Sequence, residues 1–206
     1  MYNSMSALPY IPYRILTYLA KNDEIIWKLL KYNDYDALSK PDLSFREKLD
    51  LIWKTGPQES KGIFMTNLVE DAIAESKCIL KIYDYYIHAK ELNYGTVVYA
   101  FDCLYGGQMS LVKYNKIPVS RGDLFINRIL TVLNGAYVGG VGKLIFLDDM
   151  SRYDLGRSTI GNSKTFAGVQ LFMSVNVGDA GEDEGCGCQS WIFKTSLFYF
   201  WPTCPL

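Results

Sequence analysis

Apolar positions follow two different rhythms along this chain. Up to about residue 54 they recur at three- and four-residue spacing, the period of a helix with one buried face. From residue 78 they alternate with polar residues, the period of a half-buried strand. In the first regime, residues 12–32 predict two helical pieces. Ile15, Leu16 and Leu19 share one face of the first. Asn22 and Asp23 supply N-cap chemistry for the second, which carries Ile25, Ile26, Trp27, Leu29 and Leu30 as a stripe with lysines opposite. Residues 32–36 are turn formers, and Pro41 cannot sit where a helix needs its amide hydrogen. A third helix is predicted over 44–54. Ser44 and Glu47 have capping-box spacing, Leu49, Ile52 and Trp53 form the buried side, and Gly56-Pro57 ends it. From there to residue 76 the pattern weakens to loop, with room for one helical turn.

The second regime predicts strands at 78–88 and 96–105, joined as an antiparallel hairpin by a longer loop around Asn93 and Gly95. Ser120 and Asp123 open a helix whose apolar face is Phe125, Ile126, Ile129, Leu130 and Leu133, stopped by Asn134-Gly135. A short strand follows at 143–147. Residues 148–164 are polar and Gly-rich and read as a long exposed loop. The last strand, 166–177, sets Val169, Leu171, Met173, Val175 and Val177 against Gly168, Gln170, Ser174 and Asn176. The expected fold is therefore α+β: N-terminal helices over 1–76, then a mostly antiparallel four-stranded sheet in the order β-β-α-β-β over 77–177, with a helix packed on one face. Residues 178–185 are an acidic linker. Beyond it, residues 190–201 form a very apolar stretch that needs burial on this subunit, on a neighbour or on a partner.

Composition narrows the function. Of 206 residues, 49% are hydrophobic and 21% charged, enough for a real core and too apolar for disorder. The net charge of −1 leaves no basic excess to neutralise many phosphates, which argues against a primary nucleic-acid binder. No leader-like segment or run long enough to span a bilayer is present, so synthesis in a reducing cytoplasm and no membrane partner are expected. The 16 tyrosines suit protein–protein contact, since each brings large area and a polar tip.

Catalytic chemistry is not legible. The single histidine, His88, lies on a strand with no triad spacing around it. Cys78 and Cys103 read as buried free thiols. Cys186, Cys188 and Cys204 lack a fourth metal ligand unless His88 joins them, and would form disulfides only in an oxidising medium. The glycines of 135–142 precede a strand rather than a helix and lack the Gly-Lys-Ser/Thr ending of a phosphate loop. The acidic pairs Asp148-Asp149 and Glu70-Asp71, and the run 182–184, read as solvated surface. The expectation is a protein without catalytic residues, metal or cofactor.

Three blocks carry a resemblance. ILTYLAKNDEIIWKLLKYNDYDALSKPDLS (15–44), then ILTVLNG (129–135) with VGGVGKLIF (138–146) and SRYD (151–154), then FAGVQLFMSV (166–175) resemble neck proteins encoded by phages and prophages of Gram-positive bacteria. The similarity runs over about residues 12–177, and the element order is similar to that of tail-terminator proteins. The resemblance implies a structural virion protein in the phage neck, assembled in the host cytoplasm. It also implies a homo-oligomeric ring, with a hexamer favoured, that ends the tail tube and joins it to the head connector. The partners implied are adjacent neck and tail-tube proteins, with DNA only as cargo in the channel. A head-completion ring of the adaptor or stopper type, bound to the portal, is the alternative. The partner contacts expected are Arg152, Tyr153 and Asp154 in the long loop and Trp191, Phe198, Phe200 and Trp201 in the tail.

Overall fold

The amphipathic stripes of the N-terminal third fold into α1 (Ile11–Asn22), α2 (Ile25–Lys31) and α3 (Phe45–Asp50). They are seen in a computed structural model that describes residues 5–67, 77–91, 94–147, 157–160 and 166–177. Ile15, Leu16, Leu19, Ile26, Trp27 and Leu29 are fully buried, as their spacing requires. Asp23 performs the capping chemistry expected of it. Its Oδ1 accepts the Ile26 amide at 2.7 Å, while Oδ2 takes Arg128 Nε at 2.8 Å and Nη2 at 2.5 Å. Lys48 likewise closes the end of α1, donating to the Ala20 carbonyl at 3.0 Å and pairing with Glu24 at 2.6 Å.

The capping box is present. Ser44 Oγ accepts the Glu47 amide at 3.3 Å, and Glu47 Oε2 accepts the Ser44 amide at 2.8 Å. The Ser44 hydroxyl and amide hold the Glu47 carboxyl below its ordinary value of 4.5. A depressed carboxylate adds stability that is full above the unfolded value and lost as pH falls through the folded one. Acidification below about pH 4.5 is therefore expected to loosen α3, and amide exchange of Glu47 would report it. This helix stops at Asp50, short of the expected 54. Beyond Leu51 the chain turns to pair with a strand that the sequence did not announce, β1 (Ile63–Phe64): Ile52 bridges Ile63, and the Trp53 amide donates to the Ile63 carbonyl at 2.8 Å.

The sheet is built on β2 (Ile79–Glu91) and β3 (Tyr94–Gly106), an antiparallel hairpin whose strands run further toward the turn than expected. The remaining strands of the main sheet are β8 (Ile145–Phe146), β9 (Arg157–Ile160) and β10 (Phe166–Val177). The order is β1-β2-β3-β10-β8, with β9 also on β10; β1 and β2 pair in parallel and the other described strand pairs of this sheet are antiparallel. On one face Leu80, Ile82, Val97, Tyr99, Phe101, Cys103 and alternate residues of β10 join the helices in one apolar core. The fold is therefore α+β, with helices on one side of a mostly antiparallel sheet. The sheet gains two short strands, β1 and β9, over the four expected, and β9 corrects the reading of 148–164 as loop throughout.

Ser120 caps α4 (Arg121–Leu133) by accepting the Asp123 amide at 3.3 Å. The helix meets the sheet through Gly122, where an added Cβ would lie 2.5 Å from Val169 Cγ2 and 2.8 Å from the Tyr105 hydroxyl. Two hairpins flank this helix. Before it, β4 (Leu111–Tyr114) and β5 (Ile117–Ser120) turn through Asn115 and Lys116, both with positive φ (50° and 69°). After it, β6 (Tyr137–Val138) and β7 (Gly142–Lys143) occupy the glycine run, so the strand expected at 143–147 is split at buried Leu144. A left-handed Lys116 is strained where Gly is not. Lys116→Gly is expected to stabilise the protein by about 0.5–1 kcal/mol, seen as a higher thermal midpoint.

Candidate functional site

Cys78 and Cys103 are buried with their sulfurs 4.0 Å apart, and burial pushes the Cys103 thiol well above its ordinary range, the opposite of activation. His88 is exposed on β2, its ring stacked at 6.4 Å on Tyr86. Among the described residues no cluster of His, Cys, Asp and Glu is arranged to hold a metal. An open cleft of about 500 Å³ lies between α2 and the β4–β5 hairpin, where Lys28, Lys113 and Lys116 stand near Glu24 and Asp42. Lys28 is already matched to Asp42 at 2.6 Å.

The face of the sheet turned away from the helices is organised differently. Two small apolar clusters lie on it. Phe64, Ile79 and Leu104 form one, and Val98, Ala100 and Phe172 the other. Between them Asp102 is 2% exposed, on a strand position that alternation assigns to this face. Its Oδ2 pairs with Lys81 at 2.9 Å and accepts the Tyr83 hydroxyl at 3.1 Å; its Oδ1 accepts Gln170 Nε2 at 2.7 Å. Burial and the Asp102 carboxylate push the Tyr83 phenol up to about 12, so it remains a donor at neutral pH. A buried carboxylate with three donors tolerates no change of register, because a slip would leave it unpaired. Asp102→Asn keeps the shape and removes the charge, and is expected to cost about 1–3 kcal/mol in urea unfolding. The sequence offered one signal for this network, a lone acid within the apolar run of β3, and it was missed.

The most unusual feature is the outer edge of β2. Strand β1 pairs only with Leu80 and Lys81, and among the described residues no other strand lies on that side. Residues 82–91 thus present about 30 Å of edge, at roughly 3.3 Å per residue. Three consecutive large residues there stand in solvent: Tyr85 is 52% exposed, Tyr86 45% and Ile87 41%. Register shifts at Asp84/Tyr86 and Ala89/Glu91 break the ladder, as bulges do on edges that must not pair indiscriminately. The first also puts both tyrosines toward the face opposite the helices. Tyr86 sits across from Val98, and Tyr85 meets Phe172 edge-on at 4.8 Å. The exposed aromatics therefore continue the apolar cluster of Val98, Ala100 and Phe172 to the rim of the sheet. Such a patch marks a contact surface.

Tyr85 and Tyr86 are two of the chain's 16 tyrosines. Arg152, Tyr153 and Asp154, and Trp191, Phe198, Phe200 and Trp201, lie outside the described residues, as do the acidic pairs at 70–71 and 148–149 and the run 182–184.

No helix among the described residues is long and apolar enough to cross a membrane. A search of curated proteins finds no match. The model of the YomW family matches residues 23–175, spanning α2 through most of β10 and so both the helical layer and the sheet. The name is of a type given to Bacillus prophage families. With well over half of its length covered by that model, the chain belongs to the YomW family and is phage-associated.

Proposed function

We propose that this protein is a structural component of the virion that forms a homo-oligomeric ring in the phage neck, ending the tail tube and joining it to the head connector. The observation that supports it most directly is the rim formed by Tyr85, Tyr86 and Ile87 beside Phe172. This patch sets three consecutive large side chains, each near half exposed, beside the buried apolar cluster of Val98, Ala100 and Phe172. Phage association comes from the family, and the neck from the resemblance of blocks 15–44, 129–135, 138–146, 151–154 and 166–175 to neck proteins. A ring forms when one patch meets a different patch on the next copy and the rotation closes. In this reading the β2 rim is one of the two patches, and Arg152, Tyr153 and Asp154 reach toward the adjacent layer. No substrate is turned over and no cofactor is held.

Solution mass is the test. Light scattering or native mass spectrometry is expected to give a closed oligomer, six copies of the 23.4 kDa chain being favoured. A monomer at every accessible concentration would remove the ring.

A further inference from the structure

The second patch can be named. We propose that the apolar segment 190–201 of one copy docks on the rim of Tyr85, Tyr86 and Phe172 of the next copy, so that each subunit is donor to one neighbour and acceptor from the other. This rests on the ring reading above and identifies its interface.

Three observations converge on it. The first is chemical match. Segment 190–201 contains Trp191, Phe193, Phe198, Phe200 and Trp201 with a single charge, Lys194. The rim offers exposed aromatic faces and edges beside an apolar cluster. Aromatic groups meeting edge to face gain about 0.5–1.5 kcal/mol per pair beyond their area burial.

The second is where the chain leaves the sheet. Val177, the last residue of β10, is in register with Gly95 of β3, and Gly95 with Ala89 of β2. The tail therefore departs at the hairpin end of the sheet, level with the exposed stretch of β2.

The third is reach. β10 is two strand spacings from β2, about 10 Å. Residues 178–189 are 12 positions of chain, whose maximum reach is ~40 Å. A tether of that length is long enough to reach the rim of an adjoining copy. Because donor segment and acceptor rim are different surfaces, the contact is heterologous and propagates around a ring.

The experiment uses two variants of the full chain. One ends at residue 189 and has no donor; the other, Tyr85→Glu with Tyr86→Glu, has no acceptor. Each alone is expected to assemble at least ~30-fold more weakly than the parent, the scale of losing a hot-spot aromatic. Circular dichroism confirms that each is folded. Mixed in equal amounts, they are expected to give a one-to-one complex by native mass spectrometry, the intact tail of one seated on the intact rim of the other. Failure of the two folded variants to complement would overturn the proposal, as would a ring from the truncated chain equal to the parent's. In the latter case the ring itself would stand. A parent chain that is monomeric throughout would instead defeat the ring reading.

Discussion

Arg121→Ala is expected to destabilise the protein by about 3–5 kcal/mol, the scale of leaving buried polar partners stranded. Arg121 is fully buried at the first position of α4, and no carboxylate pairs with it in the ion pairs seen. Its guanidinium serves instead as a cap for another helix. Nη1 donates to the carbonyls of Leu29 at 2.9 Å and Tyr32 at 3.0 Å, and Nη2 to Asn33 at 3.3 Å and Asp34 at 2.9 Å. Nε donates to Met109 at 2.8 Å. Four of these acceptors lie at or just beyond the end of α2, where orphaned carbonyls carry the negative end of the helix dipole. One side chain thus joins α2, the chain before β4, and α4. Alanine would strip a partner from five carbonyls and open a cavity. Lysine would keep the charge but not the planar fork, and is expected to recover only part of the loss. Domains of this kind are stable by about 5–15 kcal/mol, so the alanine variant should show a large fall in urea midpoint.

The second large effect concerns assembly rather than folding. Tyr85→Glu with Tyr86→Glu should lower stability in urea unfolding by no more than about 2 kcal/mol and leave the chain folded, because the chief loss is the Tyr85–Phe172 edge contact. Both residues are near half exposed. In the proposed ring the same two carboxylates would be carried into an apolar contact, where burying an unpaired charge is strongly unfavourable. The expected result is a folded monomer by light scattering under conditions where the parent forms a ring. A double variant that assembles as the parent does would move the interface away from this rim.

Much of the fold was legible because it is locally encoded. The alternation from Val169 to Val177 fixes β10 and its buried face, and the Ser44/Glu47 and Ser120/Asp123 spacings fix two helix starts. What was missed depends on distant partners. β1 is two residues long and exists because Ile63 and Phe64 lie beside Leu80 and Lys81. β9 is a polar segment that becomes a strand by lying against residues 168–171. The β4–β5 hairpin hides because its turn uses Asn115-Lys116 in place of the Asn-Gly that normally signals left-handed backbone. Helix α3 reads as longer than it is because Ile52 and Trp53 have helical spacing yet are claimed by β1. Arg121 looks like a surface charge at a helix start, and its burial follows from carbonyls 87–92 positions away. For the candidate site, tyrosine content pointed to contact surfaces. The choice of Tyr85 and Tyr86 needed the bulge at Asp84/Tyr86 and the short reach of β1, neither of which leaves a mark in the sequence.

Electron microscopy of the virion that carries this protein tests the account most directly. A closed ring of copies at the junction between capsid and tail, next to the tail tube, is the result expected. Placement in a ring against the portal would assign the protein to head completion instead of tail termination. Particles that lack the protein, or that hold it anywhere but that junction, would contradict the account.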